Sequence, residues 1–305
     1  VAMRLLDDAE AVMEDLDDDW GRGLIAFLKA NGATAANDFG TTQAFTKEAQ
    51  RYFARSGDPW GIGYMEYFLG IIERSRGDYE AAVSNFESAL RRARVLGLRQ
   101  EIPVMLGELA NIATLQSDYT RADAILNEAA EHAATSPFLG SQAMVMNARG
   151  LWWRHQGRLR RAYEVHVAAS QMYADTMREG GVAFAEGSAG RAAEALGDLD
   201  TARRHQITSL EAALTIGDQP AVAFAAEGMG GVAIAGGDAG HGATLLGAAA
   251  ALRNRLGLPL PEGEDFDVHR WEAAAIEDLG RSSFDDYVAA GDGLHDLQEL
   301  VDLIR

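Results

Sequence analysis

Apolar and small positions recur along this chain at a fixed interval. Between Trp60 and Arg76, Tyr64, Phe68, Ile71 and Ile72 stand at helical spacing. Between Tyr79 and Leu96, Ala82, Val83, Phe86, Ala89, Leu90 and Ala93 form one stripe. Steps of three and four predict two amphipathic helices. The turn between them reads Gly77-Asp78-Tyr79. Forty residues on stands Ser117-Asp118-Tyr119, then Gly157-Arg158-Leu159, Gly197-Asp198-Leu199 and Gly237-Asp238-Ala239; Asn37-Asp38-Phe39 precedes them in the same phase. A period of this size predicts a solenoid of helical hairpins.

Two further registers keep the same phase. Seven residues before each hinge stand Ala30, Gly70, Ala110, Gly150, Gly190 and Gly230. Twelve residues after stand Ala49, Ala89, Ala129, Ala169, Ser209 and Ala249. Small residues at both places let helix backbones approach closely. Gly57, Gly97, Gly217 and Gly257 follow their hinges by twenty residues and mark hairpin boundaries. Six repeats are expected over residues 20–257. Their helices begin at Trp20 to Ala36 and Thr41 to Arg55, with Thr41 or Thr42 capping the second by accepting a backbone N–H. Repeats then run Trp60–Leu96, Glu101–Ser136, Ser141–Met177, Gly181–Ile216 and Pro220–Leu256.

Run backwards, the phase meets small or large residues where it should at Ala2, Leu6 and Ala9. Residues 1–19 are therefore expected to be the second helix of a truncated repeat followed by an acidic linker, as in a piece of a longer protein. After Leu258-Pro259-Leu260-Pro261 the period stops. Helices over Asp265–Leu279, Ser282–Ala290 and Leu294–Ile304 are expected to form a C-terminal helical cap over residues 258–305, since a solenoid needs a polar end.

Gly70, Gly77, Tyr79, Ala82, Phe86 and Ala89 resemble the tetratricopeptide repeat (TPR), at forty residues rather than the usual 34. The expected fold is all-α: a right-handed, TPR-like superhelical solenoid of about six hairpins. The resemblance implies that the first helix of each hairpin lines a concave groove. Its groove places fall on Tyr64, Tyr67 and Arg74; Glu108 and Asn111; Asn147, Arg154 and His155; Phe184, Arg191 and Glu194; and Phe224 and Glu227. Aromatic, amide and guanidinium groups are what peptide and small-molecule recognition uses. Tyr64 and Phe184 are the two that packing would claim first.

The end of the chain resembles something narrower. Leu245-Leu246-Gly247-Ala248-Ala249, the Leu-Pro-Leu-Pro turn, Leu279-Gly280 with Phe284, and a closing Leu-rich helix look like the C-terminus of large actinobacterial STAND-type ATPase regulators. Those carry LuxR-type or bacterial-transcriptional-activator output domains. The resemblance implies a sensor domain whose NTPase and DNA-binding parts lie elsewhere.

Composition narrows the chemistry. With 48% hydrophobic residues the core can run the whole length, and 33 Gly against 6 Pro suits packed helices. The net charge of -19 disfavours direct nucleic-acid binding. The absence of Cys excludes disulfides and thiolate chemistry. With no signal peptide or membrane-length apolar run, a cytoplasmic protein is expected. No P-loop, dinucleotide fingerprint or nucleophile elbow is present. The seven histidines show no i, i+4 pair, so no metal site, cofactor or catalytic residue is assigned. Gly228-Met229-Gly230-Gly231 falls in the packing registers. The cluster Arg149, Arg154, Arg158, Arg160 and Arg161 reads as a solvated hinge and helix face.

Two functional readings stand. One is a non-catalytic sensor of a bacterial transcriptional regulator, binding a peptide, protein or small effector in its groove, with self-association allowed. The other is a TPR scaffold or chaperone-adaptor with no transcriptional role.

Overall fold

A computed structural model describes residues 2–35, 38–294 and 296–304. A leading helix, α1 (Ala2–Asp15), packs on the first of six hairpins. The hairpins are α2 (Asp19–Ala35) with α3 (Phe39–Ser56), α4 (Pro59–Ser75) with α5 (Tyr79–Leu96), and α6 (Ile102–Leu115) with α7 (Tyr119–Ala134). They continue as α8 (Leu139–His155) with α9 (Leu159–Asp175), α10 (Glu179–Ala195) with α11 (Leu199–Ile216), and α12 (Gln219–Ala235) with α13 (Ala239–Leu256). Three helices follow: α14 (Phe266–Leu279), α15 (Arg281–Asp292) and α16 (Leu297–Ile304). The molecule is an all-α repeat solenoid, and its helices start and stop close to where the periodicity puts them. Ala36 and Asn37 lie outside the described residues.

The hinges explain the period. Gly77, Gly157, Gly197 and Gly237 have φ of +80°, +69°, +81° and +89°. This left-handed turn lets the next N–H bond back to the previous helix, as Asp78 does to the Glu73 carbonyl at 2.9 Å. Ser117 takes the same conformation at φ +61°. The Asp after the hinge caps the second helix: Asp38, Asp78, Asp118, Asp198 and Asp238 each accept a backbone N–H three residues on. The expectation of a Thr cap on α3 is thereby corrected. Asp38 accepts from the Thr41 N–H, and the Thr42 hydroxyl donates back to the Asp38 carbonyl.

Both small-residue registers are buried seams. Ala49, Ala129, Ala169, Ser209 and Ala249 have no exposed surface. At Gly70, Gly150 and Gly190 an added Cβ would strike the residue sixteen positions later, Phe86, His166 and Gln206, and at Gly230 it would crowd the Gly242 carbonyl oxygen at 3.1 Å and Leu246 at 3.3 Å. Each of these four hairpins is thus closed by a glycine on its first helix receiving a larger residue from its second. The Gly-dense stretch on α12 is packing of this kind, and Gly231 in addition leaves room for the Trp271 ring.

The end of the chain does two things. α15 lies on α13 at backbone contact: a Cβ on Gly247 would sit 2.2 Å from the Val288 carbonyl oxygen. Leu300, Val301 and Ile304 of α16 join the main core. Before that, residues 258–267 leave α13 and run back over the inner face of the solenoid. There Pro261 meets the Gly77 hinge and Gly263 meets Leu115.

Candidate functional site

First helices of successive hairpins pack side by side, α6 on α8, α8 on α10 and α10 on α12. Their inward faces therefore form one wall. The wall holds a cavity of about 240 Å³. Nine of the thirteen groove residues expected from the repeat line it: Arg74, Glu108, Asn111, Asn147, Arg154, His155, Phe184, Arg191 and Phe224. Tyr64 and Tyr67 line a neighbouring hollow between the second and third hairpins. Glu194 and Glu227 line neither of these two spaces. Glu194 is bonded to Arg270 of α14, and Glu227 pairs with Arg191 at 2.8 Å and Arg253 at 2.5 Å.

Part of the lining falls outside the places the repeat implies. Leu115, Met144, Ala148 and Leu151 are apolar positions on the same inner helices. Tyr173 arrives from α9, a second helix. Leu260, Glu264 and Phe266 arrive from the returning segment. The only sequence signals for these three are the two prolines, which forbid a helix there, and the acidic run that follows.

Phe184 overturns an expectation. Packing was to claim it, yet it is 43% exposed and stacks on Phe224 at 5.1 Å between centroids. Tyr64 is half-buried in an aromatic group with Phe27, Trp60 and Phe68. The arginine cluster also divides: Arg158, Arg160 and Arg161 are exposed, whereas Arg154 turns inward and is buried.

Charge in the site is concentrated on three arginines. Arg74 pairs with Glu108 at 3.3 Å and with Glu264 at 2.8 Å. Arg154 is bonded to Asp267, and Arg191 lies 3.7 Å from the same carboxylate. Arg191 also stacks over Phe224, 3.9 Å from the ring centre, and Arg154 over Phe266 at 4.7 Å. Such stacking suits a planar guanidinium better than a compact ammonium. Burial raises the pKa of Glu108 against the pull of Arg74. Burial would also raise Asp267, but Arg154, Arg191 and Arg270 together hold it below the ordinary carboxylate range. His155 is lowered to about 4 by burial, with Arg154 adding to the effect, so it is neutral at physiological pH. The Asn111 carbonyl oxygen, His155 Nε2 and the Nε atoms of Arg154 and Arg191 are buried without a hydrogen-bond partner among the described residues.

Asn147 has a different task. Its side-chain oxygen meets His166 Nδ1 at 2.5 Å, which places the proton on that nitrogen. His166 is fully buried, and its pKa is lowered to about 3 by burial first and Arg154 second. One cluster carries residue types familiar from hydrolases: Ser170, Glu186 and His205. The Ser170 hydroxyl donates to Glu186, which also holds His205 at 2.6 Å. The carboxylate thus stands between hydroxyl and imidazole, so the histidine is not placed to take the serine proton. Among the described residues no group of three His, Asp or Glu is set to hold a metal ion. No helix there is long and apolar enough to cross a membrane.

No family model matches the sequence, and no curated protein matches it. Solved structures do match in shape. The Rap protein complexed with Competence and Sporulation Factor superposes with a TM-score of 0.71 at 13% identity, over 93% of this chain and 76% of that chain. BtubC (BKLC) from P. vanneervenii gives 0.51 at 17% identity, over 71% of this chain and 93% of that one. At such identities the likeness is one of fold. It defines the class: a TPR-like helical-repeat domain.

Proposed function

We propose that this chain is a non-catalytic recognition domain that takes a small effector, or one or two side chains of a peptide, in the cavity on its inner face. One observation carries the reading. Residues from five inner helices, each placed by counting from its repeat hinge, converge on a single space with an apolar wall and a few buried polar atoms. That composition is typical of ligand sites. At about 240 Å³ the space lies just below the ~300–1,000 Å³ usual for small-molecule pockets, which favours a small ligand or a side-chain anchor over a whole peptide. The fold likeness to a repeat protein captured with a bound factor supports the same reading. The terminal sequence resemblance supports placing the domain in a bacterial transcriptional regulator, where ligand binding would shift the population of an attached switch.

The test is a thermal-shift screen of small effectors and short peptides on the purified chain and on Leu151→Trp. The substitution adds bulk to a half-buried cavity wall without touching an ion pair. Ligands that raise the melting temperature of the first and not of the second support the cavity. Ligands that shift both equally, or no ligand at all, overturn it. An Asn147→Ala, Arg154→Ala pair is a poor probe, because it removes the partners of buried His166 and Asp267.

A further inference from the structure

Residues 259–266 occupy the groove as a ligand would. Gly257, at φ +68°, ends α13, and the two prolines keep the next residues extended. Leu260 then enters the cavity wall. Pro261 rests on the Gly77 hinge. The Tyr79 hydroxyl donates to the Glu262 carbonyl at 2.6 Å, 183 positions away in sequence. Gly263, at φ +88°, passes so close to α6 that a Cβ there would lie 2.8 Å from the Leu115 carbonyl oxygen. Arg74 donates to Glu264 at 2.8 Å. Phe266 sits against His155, 4.3 Å between ring centres, and under Arg154. Eight residues therefore visit three of the inner helices.

Two features separate this from an ordinary structural crossing. First, the described backbone–backbone bonds of the segment lie within it or run to α14, as with Glu264 N–H to the Pro261 carbonyl at 3.1 Å and His269 N–H to the Asp265 carbonyl at 2.9 Å. Its polar ties to the repeats are side-chain contacts, which exchange without unravelling a helix. Asp267 and Trp271, by contrast, hold α14 in place through buried contacts of their own. Residues 259–265 are thus a loop anchored at both ends, by α13 and by α14, and seated by its middle. Second, the groove offers more than the segment takes, since Asn111, His155 and Arg154 keep unpartnered buried atoms beside it.

We propose that residues 259–265, with the Phe266 side chain at their end, are a built-in occupant of the groove, and that the groove's external ligand is an extended acidic peptide that displaces the loop and takes the place of that ring. This deepens the reading of the cavity given above and rests on it. The occupant shows what the site selects: a carboxylate for Arg74, an apolar side chain for the cavity, and an aromatic ring for the Arg154 and His155 pair. Proline before the acids keeps the segment extended in advance, so less conformational freedom is lost on seating. The charge pattern is complementary, acid on the segment and guanidinium on the groove, in a protein whose net charge of -19 does not by itself attract such a peptide.

The probe is a labelled synthetic peptide, acetylated and amidated, copying residues 258–266. Its binding to the whole chain is followed by fluorescence polarisation. The comparison is with a Leu260→Ser, Glu264→Gln chain, which loosens the seated segment and leaves the groove residues of the repeat helices unchanged. The variant is expected to bind the peptide at least about tenfold more tightly than the wild type, as follows if the groove is open in roughly a tenth of wild-type molecules or fewer. A peptide with Gln and Asn for its Glu and Asp binds neither. Hydrogen exchange on the wild type with saturating acidic peptide provides a check that needs no variant: residues 259–265 lose protection while α14 keeps it. Equal binding to both chains, equal binding of the neutral peptide, or no binding to either overturns the proposal. If effectors still depend on Leu151 in the thermal-shift screen while the peptide fails, the cavity stands and the built-in occupant falls.

Discussion

Arg154 and Asp267 stand 113 positions apart and meet as a buried, hydrogen-bonded ion pair beneath the groove. Arg191 approaches the same carboxylate from the next hairpin. One acid thus neutralises two buried cations and fastens α14 to the inner wall.

Asp267→Ala leaves both guanidiniums buried without that acid. Breaking such a pair from one side costs about 3–5 kcal/mol, and urea denaturation should show a loss of that order. Adding Arg154→Met removes one of the stranded charges and should recover part of it. A loss under about 1 kcal/mol would show that the cluster is hydrated rather than buried.

His166 gives a pH signature. Its folded pKa of about 3 lies below the ordinary 6.5. Between those values the unfolded chain binds the proton and the folded chain does not. Stability therefore falls as pH drops from 6.5 toward 3. At pH 5 the contribution is about 2 kcal/mol, from 1.36 kcal/mol per unit. Gln206 fills the same register one repeat later, with its amide on the Gly187 carbonyl at 3.0 Å. His166→Gln should therefore fold and should lose about half of the difference between melts at pH 7.5 and pH 5, because His155, lowered to about 4, adds a similar share. A variant with an unchanged difference would assign it to other groups.

Two glycines should respond in opposite senses. Gly247→Ala drives a methyl into the backbone of α15, and overpacking of this kind costs about 1–3 kcal/mol. Proteolysis within 281–304 should quicken in step. Gly40→Ala, in the first turn of α3, meets only the Asp38 carboxylate at 3.6 Å and should stabilise the chain by about 0.5 kcal/mol. If both lower the melting temperature equally, the α13–α15 contact is not as close as described.

Much of the inner face is legible in the sequence, because a repeat copies its geometry along with its phase. Arg74 and Arg154 hold one register place and Tyr64, Phe184 and Phe224 another, so each can be set on the wall by counting from a hinge. Counting cannot tell Phe184 from a core ring. That depends on how far the neighbouring hairpin stands off. Nor can it separate Asn147, bonded to His166, from Asn111, whose oxygen stays open. Tyr173 escapes it because this ring reaches the cavity from a second helix, which the repeat assigns to the outer layer. Leu260, Glu264 and Phe266 escape it because nothing periodic links them to the distant residues they meet, Arg74 standing 190 positions before Glu264.

The sequence by itself determined the hairpins, their hinges and the small-residue seams, since these rest on local backbone preference and on contacts between neighbours in the chain. The tertiary structure alone decided what fills the groove. The path of residues 258–267 depends on where the stacked hairpins bring Arg74, Leu115, Arg154 and Arg191 in space. Those distances are set by accumulated packing across several repeats, and no local pattern records that sum.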